Sequence, residues 1–237
     1  MKILLIIPSY NEEENVLKNY QSILKCNKKN NTKYDAIVID DGSRDKTREI
    51  CIENNIPCIS LVHNLGIGGA VQTGYKYALD HNYDIAVQFD GDGQHDVNYV
   101  KNIIDPIINS DCDMVIGSRF IDKNSSDFKS SFMRRVGIKL ISFFIKLVSG
   151  KKVFDTTSGF RAINKKIIKE FACDYPVEYP EPISTVEIIK KGYIVKEVPV
   201  SMNERDGGVS SIRAWKKAYY MMNVILSIIV TGLGGKK

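Results

Sequence analysis

Two carboxylates one glycine apart close an apolar run: Ile85-Ala86-Val87-Gln88-Phe89 leads into Asp90-Gly91-Asp92-Gly93-Gln94-His95-Asp96. Acids this close repel one another until a proton or a cation neutralises them. A hard divalent ion that also bridges to phosphate oxygens is the natural partner of such a pair. Gly91 lets the backbone turn sharply and lets a ligand come close. A solvated acidic turn has the same composition. A helix-loop-helix calcium site does not fit, because its sixth loop position needs glycine and this chain has His95.

A second apolar run, Ala36-Ile37-Val38-Ile39, ends on Asp40-Asp41-Gly42-Ser43. Two runs ending in paired acids are harder to explain by solvation than either alone. Asp40 or Asp41 is placed to accept hydrogen bonds from a base or ribose, as an acid does in dinucleotide folds. The competing use of this stretch is helix capping by Ser43 or Asp45. Pro8-Ser9-Tyr10-Asn11-Glu12-Glu13 follows the first apolar run, with Asn11 as a candidate cap and direct ligand contact as the alternative. His63-Asn64-Leu65-Gly66-Ile67-Gly68-Gly69-Ala70 fails the dinucleotide pattern, because Val71 stands where the third glycine belongs. It still puts small residues at a helix N-terminus, which suits an anion or a sugar. No Gly-x4-Gly-Lys-Ser/Thr loop occurs, and His63, His81 and His95 lack zinc spacing.

Such chemistry needs a frame that brings separate loops to one edge. Strands are expected at residues 3–8, 34–40, 58–61, 85–90 and 113–118, and helices at 12–24, 45–54, 67–82 and 97–109. That alternation predicts an α/β fold, a mainly parallel sheet flanked by helices. Both acidic pairs then lie at the carboxyl ends of strands, where open α/β sheets bind ligands. The second half reads differently. It has a helix over 130–149, a turn-rich stretch over 155–161, and helices over 165–172 and 182–191. A strand over 193–199, a loop over 205–211 and a final helix over 212–231 follow. There is no linker between the halves and no internal repeat.

At 237 residues, 43% apolar and 26% charged, the composition is that of an ordinary globular domain. The net charge of +5 is mild but uneven. Lys129, Arg134, Arg135, Lys139, Lys146, Lys151 and Lys152 follow one another without an intervening acid. No nucleic-acid partner is expected. The five cysteines are odd in number and hold no Cys-x-x-Cys pair, which suits reduced thiols in a cytosolic protein. The opening apolar run is too short for a secretory signal and reads as a first buried strand. No uninterrupted apolar run reaches the length that spans a bilayer.

On a helix over 130–149, Phe132, Val136, Leu140, Phe143, Phe144, Leu147 and Val148 share one broad face, with Arg135, Lys139, Ser142 and Lys146 opposite. The pattern suits a helix lying in a membrane interface, and packing on the sheet is the alternative. The final helix adds Trp215, Tyr219 and Tyr220 before an apolar end. Aromatic residues mark membrane interfaces, and pairing with a second copy or a small membrane protein uses the same surface. A peripheral protein at the cytoplasmic face of the cell membrane is expected.

Six motifs now stand in order: Pro8-Ser9-Tyr10-Asn11-Glu12, Asp40-Asp41-Gly42-Ser43, Asn64-Leu65-Gly66 with Gly68-Gly69-Ala70, Asp90-Gly91-Asp92-Gly93-Gln94, Gly117-Ser118-Arg119 and Thr157-Ser158-Gly159-Phe160-Arg161. Together they resemble the inverting family 2 glycosyltransferases of GT-A fold. Within these they are most similar to the polyprenyl-phosphate glycosyltransferases, the group of dolichol-phosphate mannose synthase. The resemblance spans about residues 1–212. It implies a GT-A, Rossmann-like domain there, with a nucleotide-binding half of about 1–120 and an acceptor-side half of about 121–212. An amphipathic helix and tail over 213–237 complete the chain.

The resemblance also implies roles at matching positions. Pro8, Tyr10, Glu12, Asp40, Asp41, Gly69, Asp90 and Gly91 would bind a nucleotide-sugar donor, with Asp41 on the base or ribose. Asp92 and Gln94, with Asp90 beside them, would hold Mg²⁺ or Mn²⁺ on the diphosphate. Asp155 would be a catalytic base or an acid that orients the acceptor. Arg119, Arg134 or Arg135 would meet an acceptor phosphate, with Glu181 on the acceptor side. Arg205, Ser210 and Ser211 match a loop that closes over the donor diphosphate, where Arg205 would steady the leaving group. Two departures stand out: Ile138 follows Arg134 where the family often has serine, and Ile183 follows Tyr179-Pro180-Glu181-Pro182 where it commonly has an acid.

The implied activity is metal-dependent, inverting transfer of a sugar to polyprenyl (undecaprenyl) phosphate at the cytoplasmic membrane face, with a UDP-sugar favoured over GDP-mannose. Its transition state is oxocarbenium-like, and negative charge grows on the leaving diphosphate. A phosphate acceptor is already anionic near pH 7, so Asp155 serves as well by orienting as by taking a proton. A family 2 enzyme that extends a saccharide is the alternative, and a non-catalytic nucleotide-sugar-binding subunit is the remote one. A sugar-phosphate nucleotidyltransferase would want a glycine-rich basic loop after the first strand, where this chain has three glutamates, Glu12, Glu13 and Glu14.

Overall fold

The computed structural model describes residues 1–121, 132–201 and 214–234, with the side chains of 132–134 and 214–219 left aside. Its strands are β1 (Ile3–Ser9), β2 (Tyr34–Asp40), β3 (Cys58–Ser60), β4 (Ile85–Gln88), β5 (Met114–Ser118), β6 (Arg161–Asn164) and β7 (Val195–Pro199). They form one sheet in the order β3-β2-β1-β4-β6-β5-β7. Every residue of β1 is buried, as a central parallel strand requires. Leu4 and Ile6 face one core and Ile3, Leu5 and Ile7 the other, following the two-residue period of a strand.

Helices α3 (Gly66–Asp80), α5 (Phe132–Ser149), α6 (Lys165–Cys173), α7 (Pro180–Lys190) and α8 (Ala214–Leu233) pack on the Leu4 side. Helices α1 (Val16–Asn30), α2 (Thr47–Glu53) and α4 (Val100–Ile108) pack on the other. β1 pairs in parallel with both β2 and β4. The strand order therefore reverses at β1, which opens a crevice at the carboxyl ends of β1 and β4.

The expected α/β, mainly parallel sheet is present, with one strand that pattern reading missed. β6 lies antiparallel between β4 and β5, with Arg161 opposite Gln88 on one side and Ile116 on the other. Four residues that begin with an arginine carry too little alternation to read as a strand. α1 begins at Val16 rather than at residue 12, because Asn11 does not cap it. Asn11 has φ 56°, donates its N–H to Ser43 Oγ at 2.9 Å and accepts from the Arg44 N–H at 2.8 Å.

The faces of α5 also differ from expectation. Ile138, Ile141 and Ile145 turn into the core, while Val136, Leu140, Phe143 and Leu147 are exposed beside Arg135, Lys139 and Lys146. Ser142, expected in the polar stripe, is buried and donates to the Val153 carbonyl. Gly137 faces Met221 and Gly232 faces Val148, so α5 and α8 run side by side in the same direction. α8 exposes Met222, Leu226, Val230 and Leu233. Among the described residues no helix is long and apolar enough to cross a membrane.

Candidate functional site

A cleft of about 340 Å³ opens at the crevice, lined by Pro8, Ser9, Tyr10, Glu12, Asp41, Ile67, Ala70, Asp90, Gly91, Asp92 and Glu181. The first and last turns of several elements meet here, so residues 173 positions apart share one wall. The loop after β4 is held from three sides. Gly91 passes so close to β1 that a Cβ there would lie 2.7 Å from the Pro8 carbonyl oxygen. Buried Asn19 on α1 donates Nδ2 to the Gly91 carbonyl at 2.6 Å. The Gln94 N–H donates to Asp92 Oδ1 at 3.1 Å.

His95 supplies the third hold. Its ring stacks on Phe160 at 4.7 Å between centroids and meets Phe89 edge-on at 5.6 Å. Its Nδ1 accepts the Asp90 N–H at 2.9 Å. Burial pushes its pKa down to about 4 against the pull of Asp92 and Asp155, so the ring is neutral near pH 7.

Asp41 stands on the cleft wall, and its Oδ1 accepts the Leu65 N–H at 2.7 Å where α3 begins. Burial raises its carboxyl pKa while the Leu65 and Gly66 amides pull it back. Asp40, buried, accepts the Ser43 N–H at 3.0 Å. Neither Ser43 nor Asp45 is the N-cap of α2, which is Lys46; Asp45, one residue earlier, accepts the Thr47 N–H at 2.9 Å through Oδ1 and the Glu13 N–H at 3.0 Å through Oδ2. Gly69 lies against Leu65, and its neighbours Ile67 and Ala70 form the cleft wall at that turn.

Among the described residues the lining holds five acids, Glu12, Asp41, Asp90, Asp92 and Glu181, and no Lys or Arg. Glu181 begins α7, and burial pushes its carboxyl above the usual range, with Arg161 opposing and Asp90 adding to the shift. It was expected on the acceptor side, and the structure places it in the same cleft as Asp41, Asp90 and Asp92. Among the described residues no three His, Cys, Asp or Glu side chains form a metal cage. The two carboxylates of Asp90 and Asp92 fit a divalent ion that takes its other oxygens from a diphosphate or water.

Asp155 and Arg119 do not line the cleft. Both Asp155 oxygens are taken by the Arg119 guanidinium, Nε to Oδ2 at 2.8 Å and Nη2 to Oδ1 at 2.8 Å. The Phe154 and Asp155 amides donate to Glu197 on β7, each at 2.8 Å. Arg135 is exposed on α5. Arg205, Ser210, Ser211 and the side chain of Arg134 lie outside the described residues.

Two residues beneath the cleft had no role assigned from the sequence. Gln88 donates Nε2 to Asp90 Oδ1 at 3.2 Å, and its amide opposes the upward shift of the Glu181 carboxyl. Arg161, 1% exposed, donates Nε to the Ser158 carbonyl at 2.6 Å and Nη1 to the Glu181 carbonyl at 2.8 Å. The only signal for Arg161 was a charge ending the Thr157–Arg161 motif.

Residues 4–171 match the family described as glycosyl transferase family 2. The UDP-N-acetylglucosamine–dolichyl-phosphate N-acetylglucosaminyltransferase of Methanococcus voltae is 38% identical over 219 residues, covering 84% of this chain and 84% of the relative. The polyprenol monophosphomannose synthase of Mycolicibacterium smegmatis is 27% identical over 220 residues, 89% of this chain and 81% of the relative. Among solved structures, the glucosyl-3-phosphoglycerate synthase of Mycobacterium tuberculosis in complex with Mn²⁺, UDP-glucose and phosphoglyceric acid superposes with TM-score 0.69. That likeness covers 98% of this chain and 79% of the other at 16% identity, and it concerns the fold.

Proposed function

The chain belongs to glycosyl transferase family 2 and is a glycosyltransferase, and from that premise we propose metal-dependent, inverting transfer of a sugar from a nucleotide diphosphate to polyprenyl phosphate. The observation that carries this reading is the acid-lined cleft at the point where strand order reverses. A diphosphate is repelled by five carboxylates unless a cation lies between them. Asp90 and Asp92, with Gln94 alongside, would hold Mg²⁺ or Mn²⁺. Such an ion neutralises charge on the leaving diphosphate.

Pro8, Tyr10, Glu12, Asp40 and Asp41 take the nucleoside in this reading. The N-terminal turn of α3, with Gly69, presents the positive end of the helix dipole toward the diphosphate. An acceptor oxygen attacks the anomeric carbon opposite the leaving group. The new bond to carbon forms as the bond to the diphosphate breaks, and its electron pair leaves with the diphosphate. A phosphate oxygen gives up no proton, and Asp155 already binds Arg119 through both oxygens. Asp155 is therefore assigned to orienting Arg119, which with Arg134 and Arg135 makes the acceptor side basic. Arg205, Ser210 and Ser211 are assigned to the donor diphosphate.

The relative named for UDP-N-acetylglucosamine and dolichyl phosphate supports a UDP-sugar and a polyprenyl-phosphate acceptor. The exposed stripes of α5 and α8 support a protein lying on the cytoplasmic face of the membrane. Phe143 and Leu147 are 59% and 67% exposed, Lys139 and Lys146 flank them, and neither helix carries an acid.

The test is transfer by the purified protein with Mn²⁺ or Mg²⁺, undecaprenyl phosphate and labelled UDP- and GDP-sugars. A lipid-linked product from a UDP-sugar is expected, lost with a chelator and in Asp92→Ala. Donor hydrolysis without lipid product would move the acceptor to a saccharide, and no use of any donor would overturn the reading.

A further inference from the structure

We infer that Glu181 recognises the sugar of the donor and selects a neutral sugar with free hydroxyls over an acidic one. The inference rests on the donor-cleft reading above and names the substrate class of that cleft. The lining comes from separate elements: Pro8, Ser9, Tyr10, Glu12 and Asp41 after β1 and β2, Asp90, Gly91 and Asp92 after β4, Ile67 and Ala70 on α3, and Glu181 on α7. A donor sugar is bonded directly to its diphosphate, so it lies against the wall adjoining Asp90. Gln88 lies beneath both acids: its Nε2 donates to Asp90 Oδ1 at 3.2 Å, and its amide lowers the Glu181 carboxyl against the effect of burial.

The position of Glu181 is built rather than incidental. Tyr179 takes a left-handed φ of 50° and Pro180 then starts α7, so the chain enters the helix at a set angle. The Glu181 carbonyl accepts from Arg161 Nη1 at 2.8 Å and from Thr185 Oγ1 at 2.7 Å. Arg161 thus grips the backbone of Glu181, a residue of the cleft lining. Arg161 Nη2 and Gln88 Oε1, on two side chains beneath Glu181, are buried polar atoms without a partner among the described residues. A network left incomplete around a cleft carboxylate is one that ligand hydroxyls complete.

The carboxylate of Glu181 accepts from sugar hydroxyls, and Ile67 and Ala70 meet the carbon face of the ring. A uronate would set a second carboxylate against Glu181 and Asp90, which is unfavourable.

Calorimetric binding with Mn²⁺ tests this, using UDP, UDP-N-acetylglucosamine and UDP-glucuronic acid, with GDP and GDP-mannose in parallel. Wild type, Glu181→Gln and Glu181→Ala are compared. The expected result is unchanged affinity for the bare nucleotide in all three. Relative to it, affinity for the neutral sugar nucleotide falls by about ten- to a hundredfold in Glu181→Ala. UDP-glucuronic acid gains affinity in Glu181→Gln. An unchanged ratio of sugar nucleotide to nucleotide in both variants overturns the inference and leaves the donor cleft standing. If Glu181→Ala also loses the nucleotide, Glu181→Gln decides, and equal loss of both ligands there overturns the inference. Failure of the wild type to bind any nucleotide overturns the donor-cleft reading itself.

Discussion

Arg119 and Asp155 form a bidentate ion pair inside the protein, with Asp155 fully buried and two parallel hydrogen bonds of 2.8 Å. Removing one partner of such a pair leaves a buried charge without compensation. Arg119→Ala is expected to cost about 3–5 kcal/mol of stability, read from the midpoint of urea unfolding. Arg119→Ala with an unchanged midpoint would show that Asp155 reaches solvent.

Gly159 lies against the Asp90 carboxylate. A Cβ there would stand 2.6 Å from Asp90 Oδ2 and 2.8 Å from Oδ1, closer than real side chains approach. Gly159→Ala must displace Asp90, because β6 begins two residues later and fixes the loop. A loss of transfer of at least tenfold is expected, with little change in melting temperature. Displacements near 1 Å cost this much where positioning matters.

Lys139 and Lys146 flank the exposed apolar stripe of α5. Each basic residue beside anionic lipid contributes about 1 kcal/mol. Lys139→Glu with Lys146→Glu is expected to release the protein from anionic vesicles in a flotation assay, while wild type stays bound at low salt. Equal binding to neutral and anionic vesicles would remove charge from the mechanism. No binding of the wild type to either vesicle would point instead to a protein partner on this face.

The neighbouring Cys51 thiol on α2 holds the Cys58 thiol on β3 below the usual cysteine range against the opposing effect of burial. The reactive form is the thiolate, so alkylation of Cys58 by iodoacetamide rises with pH and is half-maximal at a lower pH than for an ordinary cysteine. Cys51 is buried and its thiol is pushed up, so it stays unmodified. Peptide mass spectrometry across pH 5–9 reads this directly, and Cys51→Ala is expected to move the Cys58 midpoint upward.

The frame of the cleft was legible in the sequence because its signals are local. Continuous apolar runs ending in acids mark parallel strands and their carboxyl ends within a few residues, and Asp41, Asp90 and Asp92 do share one cleft. The alternation of the first half likewise needs no distant partner to be read. What sequence reasoning missed depends on contacts between distant segments. β6 exists because β4 and β5 leave a gap that a short antiparallel strand fills, and its own four residues carry no pattern. The pairing of Asp155 depends on Arg119, 36 positions away, reaching it. Arg161 acquires its hold on Glu181 by the packing of β6 against α7.

On α5 the sequence holds two apolar stripes, Ile138, Ile141 and Ile145 on one side and Val136, Leu140, Phe143 and Leu147 on another. Helical periodicity alone determines that both stripes exist. Which one is buried was decided by docking on the sheet and on α8, because burial is a property of the neighbours that a face meets and not of the face.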